Sequence, residues 1–130
     1  MKILIAEDDF TSRLFIKKYL SRYGECDLAM NGMEAIDLTL ISLQQKTPYT
    51  LICLDIMMPK VDGIKALKTI RELEKKYLSN GEVPAKIIMT TALNDKETVE
   101  EAYNYGCEAY AWKPIDVEKF DEVLRKLNLI

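Results

Sequence analysis

Four short stretches of the chain carry groups that can do chemistry, and each closes an apolar run. KILIA (2–6) ends at Glu7-Asp8-Asp9, TLICL (50–54) at Asp55, KIIMT (86–90) at Thr91-Ala92, and EAYAW (108–112) at Lys113-Pro114. Carboxylates gathered at one place repel, and one of them holds a proton unless a cation neutralises them. A hard divalent cation suits such a set, and Mg²⁺ takes a few carboxylates together with waters and phosphate oxygens. Beside that ion an aspartate can act as a nucleophile and carry an acyl phosphate. Phosphoryl transfer asks little beyond alignment and charge neutralisation. Lys113 can add an ammonium for this and Thr91 a hydroxyl. The 130 residues include no histidine, which excludes a Ser-His or Cys-His pair, a His-rich metal site and a phosphohistidine on this chain.

These groups act together only if the ends of the apolar runs share one edge. Between the runs the spacing is helical. Ile16, Leu20 and Tyr23 mark a first helix that stops at Gly24. CDLAM (26–30) is a weaker strand closed by the turn signal Asn31-Gly32, and Met33, Ile36, Leu40 and Leu43 form the stripe of a second helix. Ile64, Leu67, Ile70, Leu73 and Tyr77 predict a third, ending around Ser79-Asn80-Gly81 with Pro84 beyond. Asn94 or Asp95 can cap a fourth carrying Val99, Ala102 and Tyr103, which stops at Gly106. Val117, Phe120, Leu124 and Leu127 mark the last. Five strands alternating with five helices predict one doubly wound α/β domain over residues 1–130, with a mainly parallel sheet covered on both faces. Ligands of such sheets bind outside the carboxyl ends of the strands, which puts all four stretches on one rim.

In order, EDD near the N terminus, LDIMMPKVDG around Asp55, TTA at 90–92 and Lys-Pro at 113–114 resemble the receiver domain of two-component response regulators, the single-domain chemotaxis regulator among them. The resemblance spans nearly the whole chain. It implies a flavodoxin-like five-stranded parallel sheet of order 2-1-3-4-5 with five flanking helices. It implies that Asp55 is the phosphoacceptor, that Asp9 binds Mg²⁺ directly and Asp8 more indirectly, and that the Met57 backbone carbonyl is a further ligand, left free by the loop from Pro59 to Gly63. Thr91 would be the switch hydroxyl, Lys113 the lysine paired with the phosphoryl group, and Tyr110 the switch aromatic, moving in from an exposed rotamer. The donor would be a histidine kinase or phosphotransfer protein. A downstream protein, not identified by the sequence, would read a changed surface of the fourth helix, fifth strand and fifth helix. Such a protein assists its own phosphorylation and dephosphorylation but is a signalling protein rather than an enzyme.

Each residue also has a plainer reading. Asp8 and Asp9 can be N-cap and first-turn acids, Asp55 a solvated strand-end acid, Thr91 a loop threonine, Lys113 a surface lysine and Tyr110 a packing aromatic. Glu7 is read as a strand-end surface acid. Met57 and Leu93 flank the phosphoryl site, where apolar side chains can restrict an attacking water. The segment between Leu67 and Lys86 is long for the family and predicts an extended third helix and loop. The net charge of −3 leaves no basic footprint for nucleic acid. No apolar run approaches the roughly 18 residues of a membrane span, and MKILIAEDD has acids where a signal peptide needs small residues. A cytoplasmic location is expected. Cys26, Cys53 and Cys107 lack metal or disulfide spacing, and Cys53 reads as a buried hydrophobe. The chain reads equally as a stand-alone regulator or as the N-terminal receiver of a longer transcription factor or output enzyme. An aspartyl-phosphate phosphatase would need DxDx[TV] where LDIMM lacks the second acid. A flavodoxin would need a hydroxyl- and glycine-rich phosphate loop in place of EDDF.

Overall fold

The structure, a computed structural model, describes residues 1–92 and 96–130. Its elements run β1 (Lys2–Ala6), α1 (Phe10–Leu20), β2 (Glu25–Ala29), α2 (Gly32–Gln44), β3 (Leu51–Asp55), α3 (Gly63–Tyr77), β4 (Lys86–Thr91), α4 (Lys96–Asn104), β5 (Ala109–Trp112) and α5 (Val117–Lys126). The strands form one sheet in the order β2-β1-β3-β4-β5, with every pairing parallel. The order reverses between β1 and β3, because the chain first moves from β1 to the β2 edge and then crosses back. Helices leaving these two strands go to opposite faces, so a crevice opens at their carboxyl ends.

Strand alternation splits the core in two. Leu4, Ile52, Leu54, Ile87 and Met89 pack with Leu67 and Ile70 of α3, whereas Ile3, Ile5, Cys53 and Ile88 pack with Ile16 and Leu20 of α1 and Phe120 and Leu124 of α5. Strands buried on both faces need apolar residues at every position, which is why β3 and β4 read as unbroken runs. α3 is the longest helix among the described residues, at 15 residues.

α2 departs from its predicted stripe. Met33 is exposed, and the buried face is Gly32, Ala35, Thr39, Ser42 and Leu43. These are mostly small residues, and they let α2 approach closely: a Cβ at Gly32 would lie 1.9 Å from the Val61 carbonyl oxygen. The buried hydroxyls are satisfied within the helix, Thr39 donating to Ala35 O and Ser42 to Thr39 O, both at 2.8 Å. Asn31 is not simply a turn residue. It is the N-cap of α2, its side chain accepting from Glu34 N at 2.9 Å.

At the amino ends of the strands one side chain joins three elements. Arg71 of α3 donates to the carbonyls of Gly106 and Ala85 and to the carboxylates of Glu74 and Glu108. Those carboxylates in turn accept from Ala85 N (2.8 Å) and Ile87 N (2.6 Å). Among the described residues no helix is long and apolar enough to cross a membrane.

Candidate functional site

β1 and β3 are neighbours at the centre of the sheet, so their carboxyl ends deliver Glu7 and Asp55 side by side. Alternation sets where each points. Ile3, Ile5 and then Glu7 share a face, and Cys53 and Asp55 on β3 and Ile88 and Thr90 on β4 share the same one. Glu7 is 0% exposed and Asp55 4%. Asp8 stands exposed at the mouth, and one carboxylate oxygen from each of Glu7, Asp8 and Asp55 lies within 4.8 Å of the others. The Lys113 ammonium, just after β5, donates to Glu7 Oε1 and, at 2.9 Å, to Asp55 Oδ2.

One ammonium therefore faces three carboxylates. Burial pushes the Glu7 carboxyl above its usual range, reinforced by its hydrogen bond with Asp55 and opposed by Lys113. For Lys113 burial works to lower the ammonium pKa, but the bonds to Glu7 and Asp55 prevail and the net shift is upward. Asp55 has little other support, since Met57 N reaches its Oδ1 only over a long 3.3 Å bond.

Backbone chemistry holds the acids in place. Buried Arg13 reaches back from α1 to the carbonyl oxygens of Glu7 (2.9 Å) and Asp8 (3.3 Å), and Asp9 N donates to Glu7 Oε2 at 3.1 Å. After β3 a Cβ at position 63 would fall 2.1 Å from the Asp55 carbonyl oxygen, so only glycine lets the loop fold back. Gly63 N then donates to Ile56 O at 2.8 Å.

Two expectations about the acids change. Glu7 is a buried member of the acid cluster, not a surface acid, because it continues the inward parity of Ile3 and Ile5. Asp9, expected as the direct metal ligand, is instead the N-cap of α1, its carboxylate accepting from Ser12 N at 2.8 Å and held below its usual range mainly by that bond. The acid pair is thus Glu7-Asp8, one residue earlier than Asp8-Asp9. Two signals in the sequence point there, the strand alternation through Glu7 and the spacing Asp9-x-x-Ser12 at a helix start. Arg13 gave no such signal, since its role needs the fold of the β1–α1 turn.

Thr91 is buried at the end of β4, and its carbonyl accepts from Lys113 N at 2.8 Å. Alternation turns its side chain to the face of Met89 and Tyr110 rather than that of Thr90 and Asp55. Tyr110 is not in an exposed rotamer. It is half-buried against the α3-side core with its hydroxyl shielded from solvent, and its ring lies 4.7 Å from Trp112 and 6.5 Å from Tyr103. Met57 is exposed beside the mouth. Leu93 and the candidate caps Asn94 and Asp95 lie outside the described residues. The three cysteines are free, and burial raises the thiol pKa of both Cys53 and Cys107, the latter to about 11.

The chain matches the response regulator receiver domain over residues 3–125 and belongs to that family. It is therefore a receiver domain of two-component signalling. It is 32% identical over 95% of its length to a tenth of the osmosensing histidine protein kinase SLN1 of Saccharomyces cerevisiae. It is similar to the receiver domain of the histidine kinase CKI1 from Arabidopsis thaliana complexed with Mg²⁺ (TM-score 0.85, 27% identity, 97% of this chain and 90% of that one). It is also similar to the complex of the Saccharomyces cerevisiae phosphotransfer protein Ypd1 with the receiver domain of Ssk1 (TM-score 0.82, 26% identity, 97% and 87%). The chain spans between 7% and 55% of the length of the curated relatives it matches.

Proposed function

We propose that Asp55 accepts a phosphoryl group from the phosphohistidine of a kinase or phosphotransfer protein, and that the phosphorylated chain regulates a downstream protein. The observation that carries this reading is the buried Asp55 carboxylate, crowded by Glu7 and Asp8 and held by Lys113. The donor set fits Mg²⁺: it is all oxygen, it has surplus negative charge, and one side opens to solvent. Asp8, Asp55 and the Met57 carbonyl would hold the ion, with Glu7 behind them. Bound there, Mg²⁺ would supply neutralisation of the carboxylates and of the phosphoryl oxygens.

An Asp55 oxygen forms a bond to phosphorus as the bond from phosphorus to the donor imidazole nitrogen breaks and its electron pair returns to the ring. Lys113 then exchanges part of its hold on Asp55 for a phosphoryl oxygen. Thr91, at the adjacent strand end, offers a hydroxyl to another. Because Thr91 shares a face with Tyr110 and Trp112, its displacement reaches the α4–β5–α5 surface directly. The phosphoryl group shifts the resting population only by its differential affinity for the two arrangements. The chain acts as a signalling protein that assists its own phosphorylation and dephosphorylation, in the cytoplasm, a compartment its free thiols suit.

A groove of about 270 Å³ between α1 and the Lys113-Pro114-Ile115 turn, lined also by Thr11, Ser12, Phe15 and Ile16, supports docking of the protein phosphodonor there. Phe10, Leu14 and Phe15 of α1 are exposed beside it. Phe15→Asp is expected to slow transfer from a protein donor at least about tenfold while leaving uptake from a small acyl phosphate unchanged. Equal slowing with both donors would refute this docking face.

Intact mass after incubation with Mg²⁺ and a small acyl phosphate tests the main reading. One phosphoryl addition is expected, absent from Asp55→Asn and from a chelated sample. Addition that survives Asp55→Asn would contradict it.

A further inference from the structure

Thr90, only 1% exposed, carries a hydroxyl without a hydrogen-bond partner among the described residues. Such a group loses water on folding and gains nothing in return, which makes each instance a question about another state of the protein. Its position supplies the answer. Thr90 is the registered partner of Asp55 across the β3–β4 pairing, so the two side chains stand on the same face one strand apart. On its other side Thr90 pairs with Ala111 of β5, two residues before Lys113. To reach Asp55 on β3, Lys113 must cross β4, about 9 to 10 Å in all. Its ammonium occupies Asp55 Oδ2, on the same face as the Thr90 side chain.

We propose that the Thr90 hydroxyl is a donor reserved for the phosphorylated form of Asp55, engaging the acyl oxygen when Lys113 is drawn to the phosphoryl group. This rests on Asp55 being the phosphoacceptor, and it adds a residue that sets how long the phosphoryl group stays. In hydrolysis a water oxygen bonds to phosphorus, the bond from phosphorus to the Asp55 oxygen breaks, and its electron pair returns to the carboxylate. Inorganic phosphate and a proton leave. Negative charge grows on the Asp55 carboxylate in that transition state, and a donor to it speeds the loss.

The test is the half-life of the phosphorylated protein after removal of the small acyl phosphate, followed by intact mass, together with the melting temperature of the unphosphorylated form. Thr90→Val keeps the shape and removes the hydroxyl, and Thr90→Ser keeps the hydroxyl. Thr90→Val is expected to lengthen the half-life about three- to tenfold, a fraction of what a hydrogen bond to a full charge gives, without lowering the melting temperature. Thr90→Ser is expected to stay near wild type. A Thr90→Val half-life within about twofold of wild type would overturn the inference, as would a Thr90→Ser half-life as long as that of Thr90→Val. A wild-type chain that takes up no phosphoryl group would instead overturn the phosphoacceptor reading, and this inference with it.

Discussion

Arg71 and Lys113 stand at opposite ends of the same sheet, and each gathers two carboxylates. Around Arg71 the hydrogen bonding is finished: its guanidinium donates to two carboxylates and two carbonyls, and both carboxylates also accept backbone N–H groups at 2.6 to 2.8 Å. Around Lys113 it is not. A third carboxylate, Asp8, crowds the pair, Asp55 keeps one long backbone bond, and the neighbouring Thr90 hydroxyl has no partner among the described residues. A closed network fixes loops, whereas an open one leaves surplus charge, which on the function proposed above an ion and a phosphoryl group would satisfy. The two ends thus divide stability from function.

The contrast makes graded predictions. The largest effect is expected from Arg71→Ala, which strands Glu74, Glu108 and two carbonyls. Urea unfolding is expected to show a loss of about 3 kcal/mol, with phosphoryl uptake by the folded fraction unchanged. A loss below about 1 kcal/mol would remove Arg71 from its structural role. At the other end Asp55→Asn is expected to abolish phosphoryl uptake yet raise the stability of the metal-free protein by roughly 1 kcal/mol, since repulsion from both Glu7 and Asp8, each with an oxygen within 4.8 Å, outweighs its one bond to Lys113. Destabilisation by the same substitution would show that the rim is as complete as the Arg71 network.

A smaller effect is expected between α1 and α5, away from both ends. There Asp121 accepts from the Tyr19 and Tyr23 hydroxyls, and these bonds, with Tyr19 first, hold its carboxyl below the usual range. A depressed acid stabilises the fold above the ordinary carboxylate pKa and loses that contribution as pH falls through its folded value. The stability gap between wild type and Asp121→Asn is therefore expected to be full near neutral pH and to narrow in acid. A gap that is constant with pH would mean that the carboxylate's charge does not matter there.

Much of this division is legible in the sequence, for identifiable reasons. Continuous apolar runs reveal β3 and β4 because both faces are buried, and the Pro/Gly loop after Asp55 marks the rim. The α2 stripe misleads because a helix packed closely on its neighbour buries Ala35, Thr39 and Ser42 and leaves Met33 outside. Asp9 is ambiguous in the sequence because an N-cap and a metal ligand use the same residue type, and only the direction of the side chain separates them. Arg71, Arg13 and Thr90 act through backbone and register partners between 5 and 35 positions away, which no local pattern displays.

The acid cluster at the carboxyl ends is Glu7-Asp8-Asp55, and on the function proposed above it holds a divalent cation. Calorimetric titration of Mg²⁺ into wild type, Asp8→Asn and Asp9→Asn tests it most directly. Asp8→Asn is expected to weaken binding at least about tenfold, while Asp9→Asn stays within about twofold because that carboxylate serves the helix. Lost binding in Asp9→Asn with binding retained in Asp8→Asn would place the ion on Asp9 instead of Asp8.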